Sequence, residues 1–267
     1  MTEQGVRPIW PERAPLIGMV HLAPLPGSPR WQGSLEAVLD RAERDASVLT
    51  EAGFDGLIVE NYSDVPFHGL SVPPVTVAAM TAAVLRIGEA SSLPTGVNVL
   101  RNDAASALAI ATVTGALFIR VNVHTGSMWT DQGLIEGRAA ETLRRRAELG
   151  GETSIFADVH VKHATPPTGS EIGTAAADAW RRGLADALIV SGSGTGESTA
   201  AADLISVRGA VPEATVLAGS GVTERTVAQT LEACDGVIIG SAVMTGGVAG
   251  KGVDRSRAEA LVLAARG

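Results

Sequence analysis

Residues 154–163, SIFADVHVKH, hold the densest group of reactive side chains in the chain. In a strand, side chains alternate with period two. Phe156, Asp158, His160 and Lys162 then share one face, and Ala157, Val159 and Val161 share the other. Helices packed outside a sheet need the apolar face, so the polar file should point inward. A carboxylate, an imidazole and an amine in one file suit acid–base work. Asp and His would also suit a divalent metal. The competing reading is a satisfied polar network without chemistry. Residues 116–123, ALFIRVNV, alternate in the same way and place Arg120, Asn122 and then His124 on one face. A buried Arg120 needs an anionic partner, and Glu60, Asp158 or a substrate would serve. His21, Glu60–Asn61 and Asn98 with Arg101 and Asn102 end three further apolar runs. Asp158, Glu60 and His160 are therefore the candidate catalytic groups. His21, Asn61, Asn98, Arg101, Arg120, Asn122, Lys162, His163 and Ser191 are the candidate substrate ligands. Asp158 is expected to matter more to activity than to folding.

A second pattern suits an anion. The runs TVLAG and GVIIG lead into Gly219-Ser220-Gly221-Val222 and Gly240-Ser241-Ala242, with Thr223 placed to cap the next helix. Glycines let backbone N–H groups approach a phosphate, and neither loop contains Lys or Arg. Plain tight turns are the alternative. Residues 191–196, SGSGTG, form a second glycine-rich loop, read either as an anion site or as a lid. Trp31 and Trp129 lie in loops where they could stack on a ring. There is no P-loop, zinc-finger spacing, nucleophile elbow or early dinucleotide fingerprint. No cofactor is expected, with a divalent metal as the one option left open.

These residues need a scaffold that brings strand ends together. DGLIVEN (55–61), DALIVSG (186–192) and DGVIIGS (235–241) repeat one form: Asp, a small residue, a β-branched run, then polar or glycine residues. Each follows a helix-like segment and a short turn, as buried parallel strands do. Strands are expected at 16–22, 56–60, 95–100, 116–123, 154–161, 187–191, 215–219 and 236–240. Helices are expected between them, with Ser34 and Asn102 or Asp103 as N-caps and Gly53 as a stop. Eight strand–helix pairs with long loops after the strands predict a single (β/α)8 TIM barrel over 1–267, with 1–14 as an N-terminal extension. An open doubly wound sheet is the rival.

Composition fits. The chain is 45% hydrophobic but only 3% aromatic, which predicts an aliphatic core. Lys and Arg total 21 against 29 Asp and Glu, a net charge of −8, which argues against nucleic-acid binding. The single cysteine, Cys234, excludes an internal disulfide and reads as a buried, inert thiol. The apolar stretch 104–119 contains Ser, Thr and Gly and is too short to span a bilayer. A cytoplasmic protein without membrane insertion is expected, and a homo-oligomer is compatible with the sequence.

IGMVHLAPLPGSPRW (17–31), AGFDGLIVENYSDVPF (52–67) and VPPVTVAAM (72–80) closely resemble the BtpA/SgcQ family, as do GVNVLRND (96–103), FIRVNVHTG (118–126) and ADVHVKHA (157–164). The resemblance covers nearly the whole chain and implies a TIM barrel. One family name comes from a cyanobacterial factor needed for photosystem I to accumulate. The other comes from a gene cluster devoted to sugar-phosphate use. The residues point to an enzyme acting on a phosphorylated sugar or nucleotide-like compound by acid–base chemistry, as an isomerase, epimerase, lyase or glycosidic-bond-cleaving enzyme. The alternative is a non-catalytic assembly factor for a membrane complex.

Overall fold

The computed structural model describes residues 9–192 and 201–267. Within them, eight parallel strands close into a barrel in the order β1-β10-β9-β8-β7-β4-β3-β2. The strands are β1 (Leu16–His21), β2 (Gly56–Glu60), β3 (Thr95–Asn98), β4 (Phe118–Val121), β7 (Ser154–Val159), β8 (Ala187–Val190), β9 (Val216–Ala218) and β10 (Gly236–Ile239). Each is followed by a helix: α1 (Leu35–Ala52), α2 (Pro74–Ala90), α3 (Ala104–Thr114), α4 (Ala139–Glu148), α5 (Ile172–Ala177), α6 (Ala201–Ala210), α7 (Val227–Ala233) and α8 (Arg255–Arg266). The caps read from sequence for α1 and α3 are present, whereas Thr223 does not cap α7. Ser34 Oγ accepts from Ala37 N–H, Asp103 accepts from Ser106 N–H, and Gly53 ends α1 at φ 95°.

Two apolar layers follow from the alternation. One set of strand side chains packs outward against the helices, as Val20, Val59, Ile119 and Val190 do. The other set fills the barrel: Ile17, Met19, Ile58, Phe118, Phe156, Ile189, Leu217 and Ile238. Phe118 and Phe156 stack at 4.4 Å, and Trp10 meets Phe118 edge-on at 5.7 Å. Trp10 thus plugs the bottom of the barrel, a role the sequence did not reveal for the N-terminal stretch. Gly96 makes room for the Phe118 ring, since a Cβ there would lie 2.2 Å from Cε2. Overpacking of this kind costs about 1–3 kcal/mol. Gly96→Ala should therefore lower the melting temperature by several degrees, checked by calorimetric melting.

The three repeated Asp residues sit at the barrel bottom, opposite the polar strand ends. Asp55, Asp186 and Asp235 accept from the backbone N–H of Leu16, Ile155 and Val216 at 2.7, 2.8 and 2.8 Å. Each is also held by arginine. Asp55 pairs with Arg13 and Arg266, Asp186 with Arg146 at 2.6 Å, and Asp235 with Arg208 at 2.7 Å. The repeat is a clamp that ties the start of one strand to its neighbour, and it leaves the opposite end for chemistry.

The structure departs from the expected elements at several places, among them β3, which ends at Asn98, and β4, which spans Phe118–Val121. The fifth barrel strand, β7, stops at Val159 instead of 161. Residues 127–136, read as loop, form an antiparallel hairpin of β5 (Ser127–Thr130) and β6 (Gly133–Glu136). The helix read over 171–182 continues from α5 as a π-helical segment at Asp178–Arg182. The seventh helix starts at Val227, four residues beyond Thr223, because residues 223–226 form a separate turn closed by a Thr226 N–H to Thr223 carbonyl bond. Residues 193–196 of the SGSGTG loop lie outside the described residues.

Candidate functional site

The inward file of each strand runs out of apolar residues near the C-terminal end of the barrel. There the polar groups begin. His21 and Glu60, aligned across β1 and β2, end their strands. Arg120 lies on β4 and Asp158 on β7. Together with Lys162, the residues His21, Glu60 and Arg120 line one cleft. Its opposite wall is backbone: Gly219–Val222 after β9 and Gly240–Ala242 after β10. Of the three acid–base candidates, Glu60 thus faces the glycine loops, with His21 and Lys162 beside it. Gly219 is required by packing, since a Cβ there would meet Ile189 at 2.4 Å. Gly221 sits at φ +67°, which favours glycine. Ser220 Oγ accepts from Gly192 N–H at 2.8 Å and ties the β9 loop to the β8 loop. Ser191 follows the inward file of β8, and its buried Oγ has no hydrogen-bond partner among the described residues.

Below the cleft lies a buried polar network. Arg120 Nε and Nη2 donate to Asp158 Oδ2 and Oδ1, both at 2.8 Å. Asn122 Nδ2 donates to Asp158 Oδ2 at 2.9 Å. Asn98 Nδ2 donates to the Arg120 carbonyl at 2.9 Å and to Asn122 Oδ1 at 3.2 Å. The Arg120 and Asp158 side chains are 2% and 0% exposed. Both Asp158 oxygens are therefore committed. A bidentate guanidinium–carboxylate pair of this geometry is rigid and self-neutralised.

Glu60, His21 and Lys162 are held differently. Glu60 is 6% exposed, and its carboxylate makes no hydrogen bond among the described residues. Burial raises its pKa above the ordinary value, against the opposing pull of Arg120 and Lys162. His21 Nε2 lies 3.6 Å from Glu60 Oε1. Burial, helped by Lys162 and Arg120, lowers the His21 pKa from 6.5 to about 3, so the imidazole is neutral at pH 7. The ring stacks on Tyr62, with centroids 4.2 Å apart and planes 9° from parallel. Burial, then Arg120, lowers the Lys162 pKa. No carboxylate lies within 4 Å of its ammonium among the described residues. The cleft thus combines a carboxylate that holds its proton more tightly than usual, a neutral imidazole and an amine that gives up its proton more readily than usual.

The model of the BtpA family matches residues 12–267. The chain belongs to the BtpA family. The Synechocystis protein named photosystem I biogenesis protein BtpA is 55% identical over 190 residues. That match covers 71% of this chain and 66% of the relative, just under two thirds of the relative's length. Among solved structures, a native KDPGal structure is similar at TM-score 0.61 and 20% identity, covering 96% of this chain and 97% of that one. The N-(5'-phosphoribosyl)anthranilate isomerase of Pyrococcus furiosus is similar at TM-score 0.55 and 14% identity, covering 94% and 98%. These structural likenesses show the fold alone.

In this BtpA-family chain the remaining candidates lie away from the cleft. His160 does not join Asp158. With β7 ended at Val159, His160 takes φ 50°, and its Nε2 contacts Ser170 Oγ at 3.0 Å. The alternation breaks there, and Lys162 reaches the cleft from the loop. Asn61 bridges two loops, accepting from Leu100 N–H at 2.7 Å and donating to Asp64 at 3.3 Å. Arg101 Nη2 donates to the Lys162 carbonyl at 2.8 Å. His163 is exposed near the mouth. His124 contacts the Gly183 carbonyl at 2.8 Å. Asn102 is bonded to the Val123 backbone. Trp31 packs on the core, and Trp129 is exposed on β5. Cys234 is buried, and burial raises its pKa. Tyr62 is the site residue that sequence reasoning missed, although it directly follows Glu60–Asn61. Among the described residues, no three His, Cys, Asp or Glu come together as a metal-binding group, and no helix is long and apolar enough to cross a membrane.

Proposed function

We propose that this BtpA-family barrel is an enzyme that moves protons next to a carbonyl of a phosphorylated, sugar-like compound, as an isomerase, epimerase or lyase does. The carrying observation is the single cleft in which Glu60, His21 and Lys162 face the Gly219–Val222 and Gly240–Ala242 loops. The loops after the last two strands of such a barrel are its usual phosphate site. Backbone N–H groups there would take the phosphate, and Lys162 adds a positive charge with no carboxylate within 4 Å among the described residues. Glu60 is the proton acceptor and donor, because its carboxyl is uncommitted and its raised pKa moves toward working pH. Neutral His21 sits beside it to relay or orient, and Lys162 and Arg120 stabilise negative charge developing on the substrate oxygen. Asp158 acts as a positioning residue that fixes Arg120. The P. furiosus isomerase shares the fold and is named for a phosphoribosyl substrate, which is consistent with this class. The reading extends to a cytoplasmic setting and a small phosphorylated substrate without nucleic-acid partners.

The name of the Synechocystis relative supports a second reading, an assembly factor without chemistry. It leaves the enclosed Lys162, with no carboxylate within 4 Å among the described residues, as an unexplained cost.

The direct test is calorimetry with ribose 5-phosphate and inorganic phosphate. Gly221→Val forces a side chain onto a φ of +67° beside the cleft. It should weaken binding at least about tenfold, equivalent to 1.4 kcal/mol. Unchanged affinity in a variant that melts normally would overturn the phosphate assignment.

A further inference from the structure

Above the cleft lies a wider cavity of about 790 Å³ at the barrel mouth. Arg30, Arg41, Arg101, His163 and Lys251 line it, while Asp131 is the one carboxylate among its lining residues. This is a local reversal in a chain of net charge −8. The basic residues come from separate parts of the fold: the loop after β1, helix α1, the loop after β3, the loop after β7 and the segment before α8. Arg41 is tied to the Gly250 carbonyl and lies 3.8 Å from Asp45, so its charge is partly answered and it fixes the loop that carries Lys251.

Arg101 differs from a solvated rim cation. The residue is 5% exposed, and its buried Nε has no hydrogen-bond partner among the described residues. No carboxylate lies within 4 Å of its guanidinium among the described residues. A guanidinium offers five donors and holds its charge. Its burial is answered only from beyond 4 Å, by Asp158, Asp131 and Glu60, and a bound anion lowers the cost that remains.

The mouth and the deep cleft are contiguous. Tyr62 lines the mouth and stacks on His21, which lines the cleft. Arg101 lines the mouth and donates to the backbone of Lys162, which lines the cleft. A ligand held by phosphate at the glycine loops and by its reacting carbon at Glu60 would extend past Tyr62 toward Arg101.

We propose that the mouth is a second anion subsite, and that the substrate is a phosphorylated compound with another anionic group, phosphate or carboxylate, at its far end. Arg101 anchors that group at the junction, while Arg30 and Lys251 close over it from the rim. This rests on the phosphate assignment made above.

The test compares ribulose 1,5-bisphosphate with ribulose 5-phosphate, and fructose 1,6-bisphosphate with fructose 6-phosphate, by calorimetry at fixed ionic strength. The doubly anionic member of each pair should bind at least about tenfold tighter. Arg30→Gln with Lys251→Gln changes exposed side chains and should bring the ratio of affinities toward one. Arg101→Lys keeps the charge but removes the guanidinium fork, and should lower the same ratio. Gly221→Val should weaken both members together. A ratio near one in the unaltered protein overturns the second subsite while leaving the phosphate site standing. A tenfold ratio that survives the rim and Arg101 variants also overturns it. Insensitivity of both ligands to Gly221→Val overturns the phosphate assignment and with it the two-ended substrate, and no binding of either class overturns both.

Discussion

Glu60→Gln should abolish most turnover while making the protein more stable at neutral pH. Both effects come from one placement. Glu60 ends β2 inside the barrel, 6% exposed, with His21 at 3.6 Å and no hydrogen bond to hold its negative charge among the described residues. Glutamine preserves the shape and removes the exchangeable carboxyl proton. General acid–base groups typically contribute about 10²–10⁴-fold in rate, so turnover should fall by that order. The sign of the stability change follows from linkage. Burial raises the folded-state pKa above the ordinary 4.5 of a glutamate. The folded state therefore prefers the protonated form. The stability from that preference is fully present below the unfolded value and is lost as pH rises through the folded value. At pH 7 and above the ionised group opposes folding, and Gln does not. Glu60→Gln should melt above the unaltered protein at pH 7–8, and the two curves should converge below about pH 4.5. Melting curves across pH and turnover on one preparation check both arms. Full turnover in the variant would remove Glu60 as the base. Equal melting at pH 8 would show that its charge is compensated.

The sequence carried the barrel and much of the site for one physical reason: side chains alternate on strands. That rule places Glu60, Arg120 and Asp158 inward, and all three are inward. The fold rule that sets glycine loops after the last strands brings Gly219–Val222 and Gly240–Ala242 opposite them. The rule stops where the strand stops. Counting groups His160 with Asp158, but β7 ends at Val159 and a φ of 50° turns the imidazole to Ser170. Lys162 enters the cleft for a reason that counting residues does not give. Trp10 was illegible because its partners, Phe118 and Phe156, are remote in sequence and their contact depends on barrel closure. The hairpin at 127–136 was hidden by Gly, Ser and Asp, which read as loop. Its cross-strand pairs, Met128 with Ile135 and Trp129 with Leu134, were the available signal. Alternation also does not say whether a carboxylate is committed to a partner, and that distinction separates Glu60 from Asp158.

Asp158→Asn should destabilise the fold strongly, contrary to the expectation from sequence that Asp158 serves activity more than folding. In the strand pattern it is an isolated inward carboxylate. In the structure it accepts three hydrogen bonds, two from Arg120 at 2.8 Å and one from Asn122 at 2.9 Å. Asparagine replaces one acceptor oxygen with a donor NH2 facing another donor. It also removes the counter-charge of a guanidinium that is 2% exposed. Removing one partner of such a buried pair costs about 3–5 kcal/mol. For a chain of this size that corresponds to a fall in melting temperature of roughly 6–20 °C. Turnover should fall as well, because Arg120 loses the fork that aims it at the cleft. A second variant separates positioning from chemistry. Replacing both partners, as in Asp158→Leu with Arg120→Met, removes the buried charge altogether. Its stability should recover well above that of Asp158→Asn, while turnover stays low. Denaturant unfolding of Asp158→Leu, Arg120→Met and their combination gives the coupling energy. Near-native stability for Asp158→Asn, with turnover lost, would return Asp158 to the list of proton-transfer groups. A double variant no more stable than the single one would show that the network stabilises the barrel by more than neutralising Arg120.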